Sequence, residues 1–319
     1  MSNAPRVSIG LPVYNGENYL AEALDALLGQ SYEDFELIVS DNASTDGTAD
    51  ICRHYGTQDS RIRYIRQPRN IGLNPNHNFV IEQANGELFK MASHDDLYAR
   101  DFLRRCIAAL DEYPQVVVAH SREAMIDTSG NVTKLLQYSV AVDSPRAPER
   151  FRSMLSDGWD DYTYGVIRTD VLRRTHLHCS HHFADRTINT ELGLHGPFYQ
   201  VPDMLYFRRD HPERTSPYTV RTRCAYLDPR RANRLRHPAV RLYAEYIWAY
   251  VEAIQAAPLS RGERQECYRH LVRWLTSRAV PVARRTVQGG ALHSSDPTAA
   301  VPPDLSVNAL VAGRERRTS

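Results

Sequence analysis

Leu88-Phe-Lys-Met-Ala-Ser-His-Asp-Asp-Leu-Tyr98 decides how this chain is read. Its apolar first half predicts a buried strand. The run ends in the paired carboxylates Asp95 and Asp96 and leads into a segment with helical spacing. In an open α/β sheet, ligands bind beyond the carboxyl ends of the strands. Two adjacent carboxylates there are costly unless a cation neutralises them. Hard divalent ions such as Mg²⁺ and Mn²⁺ take carboxylate oxygens and often bind phosphates at the same time. The stretch therefore points to a metal–phosphate site. The competing reading makes the two aspartates caps of the next helix, where acidic side chains are favoured. The stretch alone does not choose between them.

Upstream, the pattern is strand alternating with helix. Val7-Ser-Ile-Gly-Leu-Pro-Val13 is a short apolar strand broken by Tyr14-Asn15-Gly16, and Leu20, Ala23, Leu24, Leu27 and Leu28 then share one helical face. Phe35-Glu-Leu-Ile-Val-Ser40 predicts a second strand. It ends in the polar loop Asp41-Asn-Ala-Ser-Thr-Asp-Gly-Thr48 ahead of a helix to about Tyr55. Ile62 to Arg66 is a third strand. Asn74 reads as a helix N-cap with Pro75 at the first helical position and Gly86 at the far end. Phe102 to Leu110 is helical, and Val116 to Ala119 is a fifth strand. This alternation predicts a mostly parallel, Rossmann-like doubly wound sheet. Right-handed crossovers would gather the Tyr14-Asn15 turn, the Asp41 loop and the Asp95-Asp96 turn at one crevice.

After Ser121 the pattern loosens. A hairpin is expected around Ser129-Gly130, and short helices over Glu149–Leu155 and Asp170–Arg174. Tyr164 to Arg168 reads as a strand, Asp185 to Leu194 as a helix and Phe198 to Arg208 as a strand. Two long helical patterns follow, to Ala256 and from Arg261 to Arg278. The stretch after Arg284 is rich in Gly, Pro, Ser and Thr and reads as a flexible tail.

The 319 residues are 42% hydrophobic with a net charge of +1, enough for a large core and without a global pull toward nucleic acid. The five cysteines are odd in number and lack metal-type spacing, which suits a reducing compartment. No signal-peptide pattern and no long apolar span is apparent, so the expected location is cytoplasmic. Seven arginines from Arg221 to Arg241 form a basic run. That run is either a solvated face or a place for peripheral contact with the inner face of a membrane. Leu242, Ile247, Trp248, Val251 and Ile254 form a stripe read as core.

Pro12-Val-Tyr-Asn15, the loop 41–48, Asn70-Ile-Gly72 and His94-Asp-Asp96, in this order and spacing, resemble glycosyltransferase family 2. The resemblance covers about residues 5 to 216. It implies the GT-A fold in residues 1–216, a nucleotide-binding half over 1–120 and an acceptor half over 121–216. A helical extension over 217–284 and the tail over 285–319 would follow. It also implies an inverting transferase that takes sugar from a nucleotide-diphosphate sugar, a UDP-sugar by preference, and uses Mn²⁺ or Mg²⁺. The resemblance assigns donor binding to Pro12, Val13, Tyr14, Asn15, Asp41, Asn42, Arg69, Asn70, Ser93, His94, Asp96 and Arg209. It assigns the metal to Asp95 and His211 and the general base to Asp185. Arg208, Arg209 or Arg214 would hold phosphate oxygens. Two departures stand out: Ser93 where the family has the first aspartate of its Asp-X-Asp motif, and Ala184 where an acidic residue is common.

The acceptor could be a saccharide, a lipid-linked glycan or a small molecule, and the C-terminal helices could carry homo-oligomer contacts. Three other readings compete. One is a degenerate relative that binds nucleotide sugar or a partner without turnover. Another is a sugar nucleotidyltransferase, although Pro12–Gly16 is not a Gly-rich triphosphate loop. The last is a zinc site on His176, His178, Cys179, His181 and His182, whose spacing fits no zinc finger. Trp159 and Tyr162 to Tyr164 either stack on a sugar or pack in the interior.

Overall fold

The computed structural model describes residues 4–136, 141–157, 162–212, 219–279 and 307–312. One sheet of nine strands runs through them in the order β3-β2-β1-β4-β8-β6-β9-β5, with β7 paired to β6. These strands are β1 (Val7–Val13), β2 (Phe35–Asp41), β3 (Ile62–Arg66), β4 (Leu88–Met91), β5 (Leu97–Tyr98), β6 (Val118–Ile126), β7 (Val132–Leu136), β8 (Val166–Arg168) and β9 (Phe198–Arg209). The first four are mutually parallel, with Val13 opposite Asp41 and Gly10 opposite Met91. Past β4 the sheet is mixed: β8 is antiparallel to β4 and β6, while β9 runs parallel to β6.

Helices α1 (Leu20–Leu28), α2 (Thr48–Gln58), α3 (Leu73–Glu82) and α4 (Phe102–Glu112) cover both faces of the parallel half. The alternation along β2 shows why. Leu37 and Val39 join the core beneath α1 and α4, whereas Ile38 joins the core of α3 with Val80 and Ile81. A strand buried on both faces is apolar at nearly every position, as β1 is, with its one hydroxyl, Ser8, hydrogen-bonded to Glu36. The hairpin expected near Gly130 is present: Asp127 and Asn131 close it, and Gly130 has φ +83°.

Helices α5 (Ala147–Asp157), α6 (Thr169–Leu172) and α7 (Ala184–His195) precede the C-terminal helices α8 (Val220–Leu227), α9 (Ala239–Ala256) and α10 (Arg261–Ala279). A third core joins Phe151 and Leu155 of α5 and Leu194 of α7 to Tyr250, Ile254 and Leu271. Each such side chain contributes about 1.5–3 kcal/mol on burial, so α9 and α10 are welded to the body.

Four details differ from the sequence reading. Asn74 lies inside α3 rather than capping it, because Gly72 takes the N-cap position, and the Asn74 amide donates to the Cys179 carbonyl. Trp248 is exposed, since the packed face of α9 runs through Leu242, Tyr246 and Tyr250. Helix α8 had no apolar periodicity to announce it. Part of the expected tail forms α11 (Val307–Val311), whose Val307 is buried in the main core. Trp159 and Arg214 lie outside the described residues. Tyr162 is 1% exposed and packs on His120 and Phe198, so it belongs to the interior.

Candidate active site

Three loops at the C-terminal ends of β1, β2 and β4 meet, and side chains tie them together. Asn15, with φ +51°, donates its N–H to Ser44 Oγ, and its side-chain oxygen accepts from Thr45 N at 2.9 Å. Gly16 N donates to Thr48 Oγ1 at 2.8 Å. A Cβ on Gly16 would stand 2.7 Å from the His94 ring, so the Ser93-His94-Asp95 turn lies directly against the Pro12–Gly16 turn. Asn42 fixes a fourth loop, after β3, donating to Asn70 Oδ1 and Gly72 O and accepting from Ile71 N. Tyr14, Asn15, Arg69 and Asn70 are exposed at this rim, while Pro12, Val13 and Asn42 are buried beneath it.

Asp41 is fully buried. Its Oδ1 accepts from Ser44 N, and its Oδ2 accepts from Tyr64 and Arg66, each at 2.8 Å. Arg66 is half-exposed and also donates to the Ser44 carbonyl. Sequence reasoning missed this arginine; a basic residue at the end of β3, one strand from Asp41, was the available signal.

In the Asp95 turn, Ser93 Oγ hydrogen-bonds to Asp95 Oδ1, and His211 Nε2 lies 3.0 Å from Asp95 Oδ2. The Tyr19 ring packs on His211 at 5.2 Å. Asp96 faces inward. Its oxygens accept from Tyr206 OH and Arg209 N, which pins the turn to β9. Arg209 is enclosed as well. It is 1% exposed; its guanidinium donates to Glu22, to the Asp95 carbonyl and to Thr128 O, and stacks on Tyr19. A guanidinium enclosed in this way braces the turn from behind. Asp96, Asn42 and Arg209 thus all act on protein groups. Asp95 and His211 offer a carboxylate oxygen and an imidazole nitrogen on one side, a donor set that fits Mn²⁺ better than Mg²⁺, with phosphate and water left to complete the shell. No group of three metal-capable side chains occurs among the described residues.

Asp185 opens α7 with its side chain 66% exposed, and His178 Nδ1 lies 3.5 Å from it. Desolvation pushes this carboxyl up and His178, then His77 and Arg223, pull it below its ordinary range, while its exposure lets solvent screen much of both effects. His77 of α3 stacks edge-on against His178 at 5.0 Å, and burial lowers its own pKa to about 4. The histidine loop is stapled to α3 by Asn78, which accepts from His178 N and donates to His178 O. The histidines diverge: His176 pairs with Glu191, His181 reaches Thr187, and His182 sits among Phe183, Tyr243 and Tyr246. A loop whose rings face separate partners offers no zinc site.

The C-terminal helices reach this site. Asp228, after α8, is 1% exposed and accepts from Ser180 and Arg230. The next residue, Pro229, crowds Gly72, where a Cβ would come within 2.5 Å of it.

A parallel N-terminal half of the sheet, a mixed second half and loops meeting at the strand ends define a GT-A-type fold. The chain belongs to glycosyl transferase family 2, whose family model matches residues 8–184. An uncharacterized glycosyltransferase of Haemophilus influenzae is 33% identical over 141 residues, 44% of this chain and 56% of that protein. The putative glycosyltransferase EpsE of Bacillus subtilis is 34% identical over 131 residues, 41% of this chain and 47% of its own length. The match thus spans about half the length of these relatives. Among solved structures, S. aureus TarS 1–349 in complex with UDP-GlcNAc superposes with a TM-score of 0.64 at 17% identity, covering 88% of this chain and 76% of that one. The mannosyltransferase PcManGT of Pyrobaculum calidifontis, in complex with GDP-Man and Mn²⁺, gives a TM-score of 0.50 at 18% identity, covering 88% and 81%. At such identities the likeness concerns the fold. No helix among the described residues is long and apolar enough to cross a membrane.

Proposed function

We propose that this chain is an inverting glycosyltransferase that moves a sugar from a nucleotide-diphosphate donor to an acceptor hydroxyl. The observation that carries the reading is the packing of the Ser93-His94-Asp95 turn against the Pro12–Gly16 turn, with Asp95 facing His211. In this reading the exposed Tyr14, Asn15, Arg69 and Asn70 receive the nucleoside, and Asp41 with Arg66 meets the base. Ser93 and His94 lie toward the sugar. Asp96, Asn42 and Arg209 are positioning residues. A divalent ion, Mn²⁺ or Mg²⁺, held by Asp95 and His211 would neutralise charge on the departing diphosphate.

Asp185 is the proposed base. Its carboxylate is ionised at working pH and stands exposed at the start of α7, where it would take the acceptor hydroxyl proton as that oxygen attacks the anomeric carbon. The attack comes from the face opposite the diphosphate, so the configuration inverts. UDP-GlcNAc and GDP-Man, the donors bound in the two structural neighbours, are the first to try. The test is donor turnover, and donor-dependent thermal shift with and without Mn²⁺, for the wild type, Asp95→Ala and Asp185→Asn. Binding lost in Asp95→Ala, and turnover alone lost in Asp185→Asn, is the expected pattern.

A binding-only relative is the second reading. It draws on Ser93 and on the Arg66 guanidinium already seated on Asp41. Donor binding with no turnover against any acceptor class would favour it.

A further inference from the structure

The charge of this chain is unevenly placed. Its net charge is +1, yet seven arginines lie from Arg221 to Arg241 with Asp228 as the only acidic residue among them. Three of the seven are matched locally: Arg230 by Asp228, and Arg231 and Arg241 by Glu245. Arg234 and Arg236 are exposed and have no carboxylate partner among the described residues.

Between them stands Leu235, 95% exposed. Its exposure is built in. The Asn233 side chain accepts from Leu235 N and Arg236 N at 3.0 and 3.1 Å, the His237 N–H returns to Asn233 O, and Arg241 ties down the Arg236 carbonyl. This rigid turn holds an apolar side chain out between two cations. Val240, 81% exposed, and Tyr243, 48% exposed, continue the surface one turn apart on α9, and Trp248 follows. Apolar and aromatic side chains interleaved with arginine on the outer side of a helix suit a bilayer interface. The apolar atoms enter the acyl boundary while the cations meet phosphates.

Other occupants fit less well. A second copy would have to bury the unmatched Arg234 and Arg236 in the contact. Protein interface cores are also depleted of charge. A nucleic acid would use the arginines and rings but has no hydrocarbon to receive Leu235 and Val240.

We propose that residues 233–248 form a contact surface for an anionic lipid bilayer. Leu235, Val240 and Tyr243 enter the interfacial layer, and Arg234 and Arg236 bind headgroup phosphates. The surface adjoins the histidine loop that leads into α7: Tyr243 packs on His182 at 4.8 Å, three residues before Asp185. Docking there would turn the Asp185 side of the site toward the membrane. The proposal does not rest on glycosyl transfer, because lipid binding is read without donor or acceptor.

The test is flotation of the full chain with phosphatidylcholine vesicles, with and without about 30% phosphatidylglycerol. The variants are Leu235→Glu/Val240→Glu and Arg234→Glu/Arg236→Glu. All four side chains are exposed, so thermal midpoints should match the wild type. The wild type should bind the anionic vesicles at least about tenfold better than neutral ones and release them as salt rises. Each double variant should lose about tenfold in binding. Equal binding by wild type and both variants, or no preference for anionic vesicles, overturns the proposal. So does a lipid-free dimer in light scattering that Leu235→Glu/Val240→Glu abolishes, since a second copy would then cover the surface.

Discussion

Asp95 Oδ2 and His211 Nε2 stand 3.0 Å apart, each side chain only 7% exposed. The first residue ends a loop after β4; the second follows β9, more than a hundred positions later. Their approach is arranged from behind. Arg209 grips Asp96 and the Asp95 carbonyl and reaches Glu22, so β9, the 93–96 turn and α1 move as one piece.

Removing either member of that pair should uncouple the donor from the metal. His211→Ala is expected to weaken Mn²⁺-dependent donor binding by about tenfold to a hundredfold, with metal-independent binding little changed. Calorimetric titration of the donor with and without Mn²⁺ reads both. An unchanged Mn²⁺ dependence would remove His211 from the metal assignment.

Asp185→Asn should cut kcat by about 10²–10⁴-fold while leaving donor affinity alone. The carboxyl lies below its ordinary value. A base works while deprotonated, so its activity holds as pH falls and fails only near that lowered value. Asp185 should therefore produce no acidic limb in the usual assay range. His178→Ala removes the main opposing pull, and the limb should then rise toward the ordinary carboxylate range. A pH–rate profile of this variant that overlays the wild type would refute the assigned pull of His178 on Asp185.

Lys90 is a cation in the core. Its Nζ sits 3.5 Å from the Tyr98 ring centroid and donates to the Met91 and Tyr164 carbonyls, and desolvation lowers its pKa to about 7. The unfolded chain holds this proton up to about 10.4. The cost to folding is therefore fully present below about pH 7 and is relieved as pH rises toward 10. Lys90→Met should stabilise the protein at neutral pH by on the order of 1–3 kcal/mol, less whatever the ring and carbonyl contacts supply. The gain should shrink at about pH 9.5. Urea denaturation at the two pH values checks this, and a gap that stays constant with pH would sink it.

Gly72 has φ +99°, and a Cβ there would meet Pro229 Cδ at 2.5 Å and Leu227 O at 2.8 Å. Gly72→Ala should cost about 1–3 kcal/mol and push the 227–229 segment off the donor-side loop. Hydrogen exchange should report faster opening in 219–232 than in β1. Wild-type stability in this variant would mean that the contact yields at no cost.

The parallel half of the sheet was legible in the sequence because its signals are local. Apolar runs of strand length, helical spacing and polar loops at the strand ends each extend over a few residues. The order of four such loops was enough to identify the family. Candidate site residues were legible as residue types at loop positions, but not by the direction each side chain takes. Asp95 and Asp96 are neighbours in sequence, yet one faces His211 and the other is buried against Tyr206. Asn42 and Arg209 read as donor contacts, and in the structure both hydrogen-bond protein groups. The attachment of Arg66 to Asp41, the packing of Pro229 on Gly72 and the docking of Val307 in the core were decided by tertiary structure alone. Each joins segments far apart in the chain, and a contact's sequence partners carry no periodic mark of one another. Local pattern specifies which elements form and where their polar ends lie; only the packed chain settles which of those polar groups meet solvent and which are spent on holding the site together.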